Sequence, residues 1–185
     1  IVCVSNNWVL DDDVGCIATQ LVTVNSNPTV TGLSNVCEGS SVSLTGSGTP
    51  NVTTPWTSSN SAVASVSSSG IVTGLNAGTT IITYTDVNGC SVLTTETVDP
   101  TPVAPTVSND TSYCSVATPV DLVAVAGIGG TLTWYSDALL TDTIGNGITL
   151  TPTMIAGTTS YFVTEDLNGC VSPASEVILV LNLCD

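Results

Sequence analysis

One stretch of the chain occurs twice. Ala77-Gly78-Thr79-Thr80-Ile81-Ile82-Thr83-Tyr84-Thr85-Asp86-Val87-Asn88-Gly89-Cys90 has a counterpart in Ala156-Gly157-Thr158-Thr159-Ser160-Tyr161-Phe162-Val163-Thr164-Glu165-Asp166-Leu167-Asn168-Gly169-Cys170, with one residue inserted. Upstream, Cys37 matches Cys114 and Trp56 matches Trp134, and the offsets drift from 77 to 80 residues along the unit. A repeat of this length is one folding unit used again, so the chain is limited to like modules in tandem, each with its own small core.

Partial copies stand at both ends. Val14-Gly15-Cys16 and the eight residues after it parallel Asn88-Gly89-Cys90 and the eight residues after Cys90, and Asn182-Leu183-Cys184-Asp185 echoes Asn35-Val36-Cys37-Glu38. Residues 1–27 therefore read as the C-terminal hairpin of a preceding module, 28–100 as one module and 101–185 as a second, with 182–185 opening another. The joins Asn25-Ser26-Asn27-Pro28 and Asp99-Pro100-Thr101-Pro102-Val103-Ala104-Pro105 are rich in proline, which stiffens a spacer. The expectation is a semi-rigid extended array.

Within a module the pattern is that of strands. Ser41–Thr45 and Ala62–Ser67 alternate with period two, and Gly70–Leu75 is a short apolar run between turn residues. Ile81–Thr85 and Ser91–Thr95 flank Asn88-Gly89, a strong hairpin signal. No stretch holds an apolar period of 3.6. Many short strands with a Cys…Trp…Cys order predict an all-β fold of immunoglobulin-like sandwiches. The tyrosine that antibody domains place two residues before the second cysteine is missing, so the type is not that of antibodies.

Composition removes most chemistry. The chain has no Lys, Arg or His and 15 acidic residues, a formal charge of −15. Nothing can neutralise phosphates, which argues against nucleic acid. No imidazole exists for a Ser-His-Asp triad or a metal site. An anionic membrane surface would repel the chain, and no apolar run reaches the roughly 18 residues of a membrane span. With 42% hydrophobic residues it can still bury cores. Seven cysteines in so polar a chain point to an oxidising compartment.

Trp56-Thr57-Ser58-Ser59-Asn60-Ser61-Ala62-Val63-Ala64-Ser65-Val66, continued by Gly70-Ile71-Val72-Thr73-Gly74-Leu75-Asn76-Ala77-Gly78-Thr79-Thr80, resembles the group 2 bacterial Ig-like domain. The second module, with Thr133-Trp134-Tyr135-Ser136-Asp137 and Asp166-Leu167-Asn168-Gly169-Cys170, is similar to the Ig-like repeats of giant Bacteroidota surface proteins, among them gliding adhesins exported by the type IX system. The resemblance implies an extracellular stalk or adhesin segment at the cell surface, and no enzyme.

The Ig-like reading predicts the disulfides Cys37–Cys90 and Cys114–Cys170. For Cys3 and Cys16 two readings stay open: a bond across their hairpin, or a partner of Cys16 upstream. Cys184 finds no partner here if it opens a further module. Asp11-Asp12-Asp13 is the one acidic cluster; hard cations want several oxygens, so it is a candidate calcium site, set against a solvated hairpin tip. No other cofactor is expected. Asp86/Asn88 and Asp166/Asn168 read as turn chemistry. Trp56 and Trp134, between the cysteines, read as core, whereas Trp8 is the better surface aromatic. Asp142-Thr143-Ile144 resembles the acceptor of Bacteroidota O-glycosylation, which makes Thr143 a candidate. Asn51-Val52-Thr53 and Asn109-Asp110-Thr111 are sequons of the eukaryotic type. Glycoside hydrolysis would need two acids about 5–10 Å apart in a cleft, and the acids here are scattered.

Two functions fit. The first is a non-enzymatic stalk or spacer in a large surface adhesin, whose partners are further Ig-like modules and whose ligand is bound elsewhere. The second is a pilus-like filament subunit that donates 1–27 to a neighbouring copy and uses Cys16 and Cys184 between chains.

Overall fold

The structure, a computed structural model, describes residues 3–5, 23–108, 111–114, 120–153 and 155–182. All its regular elements are strands, and the chain divides between Val98 and Asp99 into two compact units. The first holds β1 (Cys3–Ser5), β2 (Thr23–Asn25), β3 (Val30–Thr31), β4 (Asn35–Cys37), β5 (Ser41–Ser43), β6 (Thr45–Gly46), β7 (Trp56–Ser58), β8 (Ala64–Val66), β9 (Ile71–Gly74), β10 (Gly78–Thr85) and β11 (Ser91–Asp99). The second holds β12 (Thr106–Val107), β13 (Thr111–Cys114), β14 (Leu122–Val125), β15 (Thr131–Tyr135), β16 (Thr143–Asn146), β17 (Thr149–Leu150), β18 (Gly157–Leu167), β19 (Cys170–Val171) and β20 (Ser175–Asn182).

In the first unit a four-stranded sheet in the order β4-β11-β10-β7 faces a three-stranded one, β5-β9-β8; β1 pairs with β2 and β3 with β6. Strand alternation decides what goes between them. Val36, Trp56, Ile82, Tyr84 and Val98 point in from the larger sheet and meet Ala64, Val72 and Leu44. The Trp56 and Tyr84 rings lie 4.7 Å apart at 46°. Offset, tilted rings of this kind gain about 0.5–1.5 kcal/mol beyond their buried area.

The second unit repeats the plan. β13-β20-β18-β15-β16 form one sheet, with β19 on β18, and β12-β14-β17 form the other. Leu122, Ala124, Leu132, Trp134, Tyr161, Val163, Val177 and Leu179 make its core. The Trp134 ring is fully buried, and its Nε1 donates to the Gly147 carbonyl at 3.0 Å. Both expected core tryptophans are therefore in the core.

The strands expected at 81–85 and 91–95 lie inside the longer β10 and β11. The strand expected over Ala62–Ser67 begins only at Ala64. Asn60 turns the chain before it, its Oδ1 accepting from the Ala62 amide at 3.1 Å and its carbonyl from the Val63 amide at 3.1 Å.

The two Asn-Gly hairpins differ. Leu167 pairs with Cys170, and Asn168 and Gly169 have φ of 55° and 86°, which is a two-residue turn of the primed type. In the first unit Thr85 pairs with Ser91, so five residues make the turn. Asp86 organises it: its Oδ1 accepts from the amides of Asn88 (2.9 Å) and Cys90 (2.8 Å). In the sister copy Asp166 holds the same place two residues before Asn-Gly, and its Oδ1 accepts from the Gly169 amide at 2.9 Å.

Candidate functional site

The pairing expected of the cysteines is corrected. Cys37, Cys90, Cys114 and Cys170 are all disulfide-bonded. The bonds Cys37–Cys90 and Cys114–Cys170 do not fit the registers. In the first sandwich the Thr97 amide donates to the Ser34 carbonyl, and a methyl placed on Gly74 would stand 2.8 Å from the Cys37 carbonyl and 2.9 Å from Val98. Cys37 thus lies beside Val98, at the far end of β11, while Cys90 precedes its first residue. Eight residues of strand separate those levels, about 26 Å. In the second sandwich Cys114 lies beside Asn182, and Cys170 faces Leu167. Gly157, which faces Leu181, is ten residues down β18 from Leu167, so this gap is about 30 Å. A disulfide holds its Cα atoms about 4–7 Å apart. The Cys…Trp…Cys order suggested a bond across the middle of a sandwich; the first cysteine instead sits at one end of the sheet and the second at the other.

Cys3 lies in β1, where its Cα partner is Asn25. Cys16, Cys184, Trp8 and the calcium candidates Asp11, Asp12 and Asp13 lie outside the described residues, as does Asn109. Thr143 opens β16 with its side chain exposed. Its neighbour Asp142 is engaged: the carboxylate accepts from the Ser136 hydroxyl, and the amide donates to Asp137 at 2.7 Å. Asn51 uses its Oδ1 on the amides of Thr53 and Thr54 and on the Thr53 hydroxyl, as a turn residue does.

Three acids have displaced pKa values, and each has a structural cause. The amides of Asp142, Thr141 and Leu139 and the Thr141 hydroxyl hold Asp137 below its ordinary value against a smaller opposing effect of desolvation. Glu165 is completely buried in β18. Burial alone would raise it, but its carboxylate accepts from the amides of Gly130 (2.6 Å), Gly127 (2.6 Å) and Ile128 (3.1 Å), and the net direction is down. The run Gly127-Ile128-Gly129-Gly130 wraps the carboxylate; any β-carbon on Gly130 would collide with the Asp166 carbonyl and the Glu165 side chain. Glu96 is also completely buried, yet neither carboxylate oxygen has a hydrogen-bond partner, and desolvation pushes its pKa up to about 7.

Sequence reasoning missed both glutamates. The glycine run upstream was a usable signal for Glu165, since successive amides make an anion nest. For Glu96 there was none: in Thr94-Thr95-Glu96-Thr97 either parity of the alternation is plausible.

These acids do not assemble into a reaction centre. Glu165 and Asp137 are saturated with donors, and Glu96 is sealed from solvent. A cleft of about 630 Å³ in the first unit is lined by Asn27, Pro28 and Gly89–Leu93, without a carboxylate. Among the described residues no three His, Cys, Asp or Glu side chains gather to hold a metal, and no helix is long and apolar enough to cross a membrane.

Among known proteins, residues 18–98 match the family described as bacterial Ig-like domain (group 2), and residues 102–182 match Ig-like domain CHU_C associated. Domains 4 and 5 of the S-layer protein SbsC share 16% identity, with 86% of this chain and 98% of that one covered, at a TM-score of 0.41. The chain spans 28% of a longer piece of the same S-layer protein. Murine CEACAM1b shares 14% identity over 85% of this chain and 100% of that one, at 0.42. Titin domains A168–A170 share 11% over 85% and 68%, at 0.39. No curated protein matches the chain.

Proposed function

We infer that this chain, a tandem of bacterial immunoglobulin-like modules, is a non-enzymatic structural spacer in a large extracellular adhesin of the cell surface. The observation that carries the reading is how its polar groups are used. The acids with displaced pKa values serve turns and cores: Glu165 ties a glycine loop to β18, Asp137 closes a turn, and Glu96 lies within the sandwich. None is left facing a cleft with a partner of complementary pKa, which acid–base chemistry requires.

The charge suits such a role. With −15 and no cation, modules and their copies repel, which suppresses pairing between exposed sheet edges. Proteases specific for Lys or Arg find no site. The family matches support an extracellular or cell-surface setting; the adhesin role and any tie to gliding motility are the proposal. Its partners would be further modules of the same kind.

The test is the reduced, denatured mass of the protein from its native source, followed by replacement of 28–182 with two unrelated Ig-like modules. A mass far above 18.6 kDa and adhesion that survives the replacement are expected. A mass near that of the chain, or adhesion lost with these two modules, would overturn the spacer reading.

A further inference from the structure

We propose that the outer face of the second module's large sheet binds a neutral polysaccharide, with Tyr135 and Phe162 stacking on sugar rings and Glu176 accepting from sugar hydroxyls. The inference goes beyond the spacer reading and does not depend on it.

Strand alternation sets the face. Trp134 pairs with Val163 and Tyr161 with Val177, and all four are buried in the core. Their neighbours Tyr135, Phe162 and Glu176 therefore point outward. Tyr135 pairs with Phe162, Phe162 with Glu176, and Tyr135 on its other side with Thr143. The four make one row across β16, β15, β18 and β20, about 14 Å long at the usual strand spacing. Both rings are half-buried, and Glu176 and Thr143 are exposed. Thr133 and Ser160, two residues along from the rings, add hydroxyls on either side of the row.

The use of aromatic residues gives the row a purpose. Among the described residues Trp56, Tyr84, Trp134 and Tyr161 lie in the cores, and Tyr113 packs against one of them. Tyr135 and Phe162 are the two left outside, and they stand side by side. The sheet itself does not need them. In the first module the same places hold Thr57 and Thr83, which pair in the same way, and Leu93 stands where Glu176 does.

Charge selects the ligand. A sugar ring is amphiphilic: its C–H face packs on the electron-rich face of an aromatic ring, while its hydroxyls at the rim seek acceptors. Two rings beside a carboxylate and several hydroxyls match both parts. With no cation and a charge of −15, the chain repels acidic glycans and further copies of itself, so the fitting polymer is uncharged.

Phe162 is the only phenylalanine, so the full chain labelled with fluorophenylalanine gives one fluorine NMR signal from the row. Soluble β-glucan, mannan and xylan are the probes, and polygalacturonate is the anionic control. The signal should shift with at least one neutral polymer and not with polygalacturonate. Tyr135→Thr, which places the first module's residue in the row, should raise the Kd for that polymer about tenfold in affinity electrophoresis, the scale of one lost stacked ring; Tyr135→Phe should not. A signal unmoved by all three neutral polymers, or moved instead by the chain's own concentration as a second copy docks, would overturn the proposal. So would unchanged binding by Tyr135→Thr, which would leave the rings a role in the sheet alone.

Discussion

Glu96 stands in the first module where Leu179 stands in the second. Gly78 faces Val98 and Gly157 faces Leu181, so two residues along each ladder Thr80 faces Glu96 and Thr159 faces Leu179. Both residues are completely buried. One sandwich fills the place with a hydrocarbon and the other with a carboxyl group whose oxygens have no partner.

That difference predicts an opposite pH response for one module. The pKa of Glu96 rises from 4.5 to about 7 on folding. Below 4.5 the native and unfolded chains both hold the proton, and the group does not alter stability. Between 4.5 and about 7 the unfolded chain releases it first, so stability falls as pH rises, and above about 7 the loss is constant. Calorimetry should show the first module melting lower at pH 8 than at pH 5. Glu96→Leu should flatten that profile and raise the melting temperature at pH 8 by roughly 5–10 °C, the scale of one unsatisfied buried polar group in a domain of this size. An unchanged profile in the variant would show that Glu96 is not the group responsible.

Glu165 should behave in the other sense. Its folded pKa is lowered, because the amides of Gly130, Gly127 and Ile128 outweigh burial. Its contribution is complete above the ordinary carboxylate value and is lost as pH falls through the lower folded one. The second module should therefore lose stability on acidification below about pH 4. Glu165→Gln should melt lower than the unmutated protein at pH 7, roughly 5–10 °C for lost charge-assisted hydrogen bonds, and the gap should close as the pH is lowered. A gap that stays constant down to pH 2 would mean that the side chain acts by shape and not by charge.

Features set by local interactions were the ones legible in the sequence. The Asn88-Gly89 hairpin signal between two β-rich runs made β10 and β11 legible, and the place of Trp56 and Trp134 between the cysteines was enough to read both as core. Asn-Gly reports a turn, but the same dipeptide makes a two-residue turn after Leu167 and a five-residue one after Thr85, although an aspartate stands two residues before each: Asp86 accepts the amides of Asn88 and Cys90, and Asp166 that of Gly169. The buried glutamates were not legible, since a carboxyl group reads as solvent-facing until the loop that wraps it, or the core that seals it, is known. Cysteine pairing was the least legible. The order Cys…Trp…Cys carries no information on which end of a sheet each sulfur occupies, and that alone decides what it can reach.

Gly46 supplies the last prediction, on the packing of the first core. Its φ is not in the left-handed region, so its reason for being glycine is space: a β-carbon there would fall within the ring of Tyr84. That ring cannot retreat, because it is buried and stacked on Trp56 at 4.7 Å. Gly46→Ala should destabilise the module by about 1–3 kcal/mol, the usual cost of overpacking. The Tyr84 hydroxyl has no hydrogen-bond partner, so Tyr84→Phe should leave stability unchanged or raise it, and should not rescue Gly46→Ala because the ring remains. Tyr84→Leu should cost stability by itself and relieve most of the damage of Gly46→Ala, a coupling that a double-mutant cycle by chemical denaturation would measure. Simple additivity of those two substitutions would show that the glycine and the ring are not in conflict.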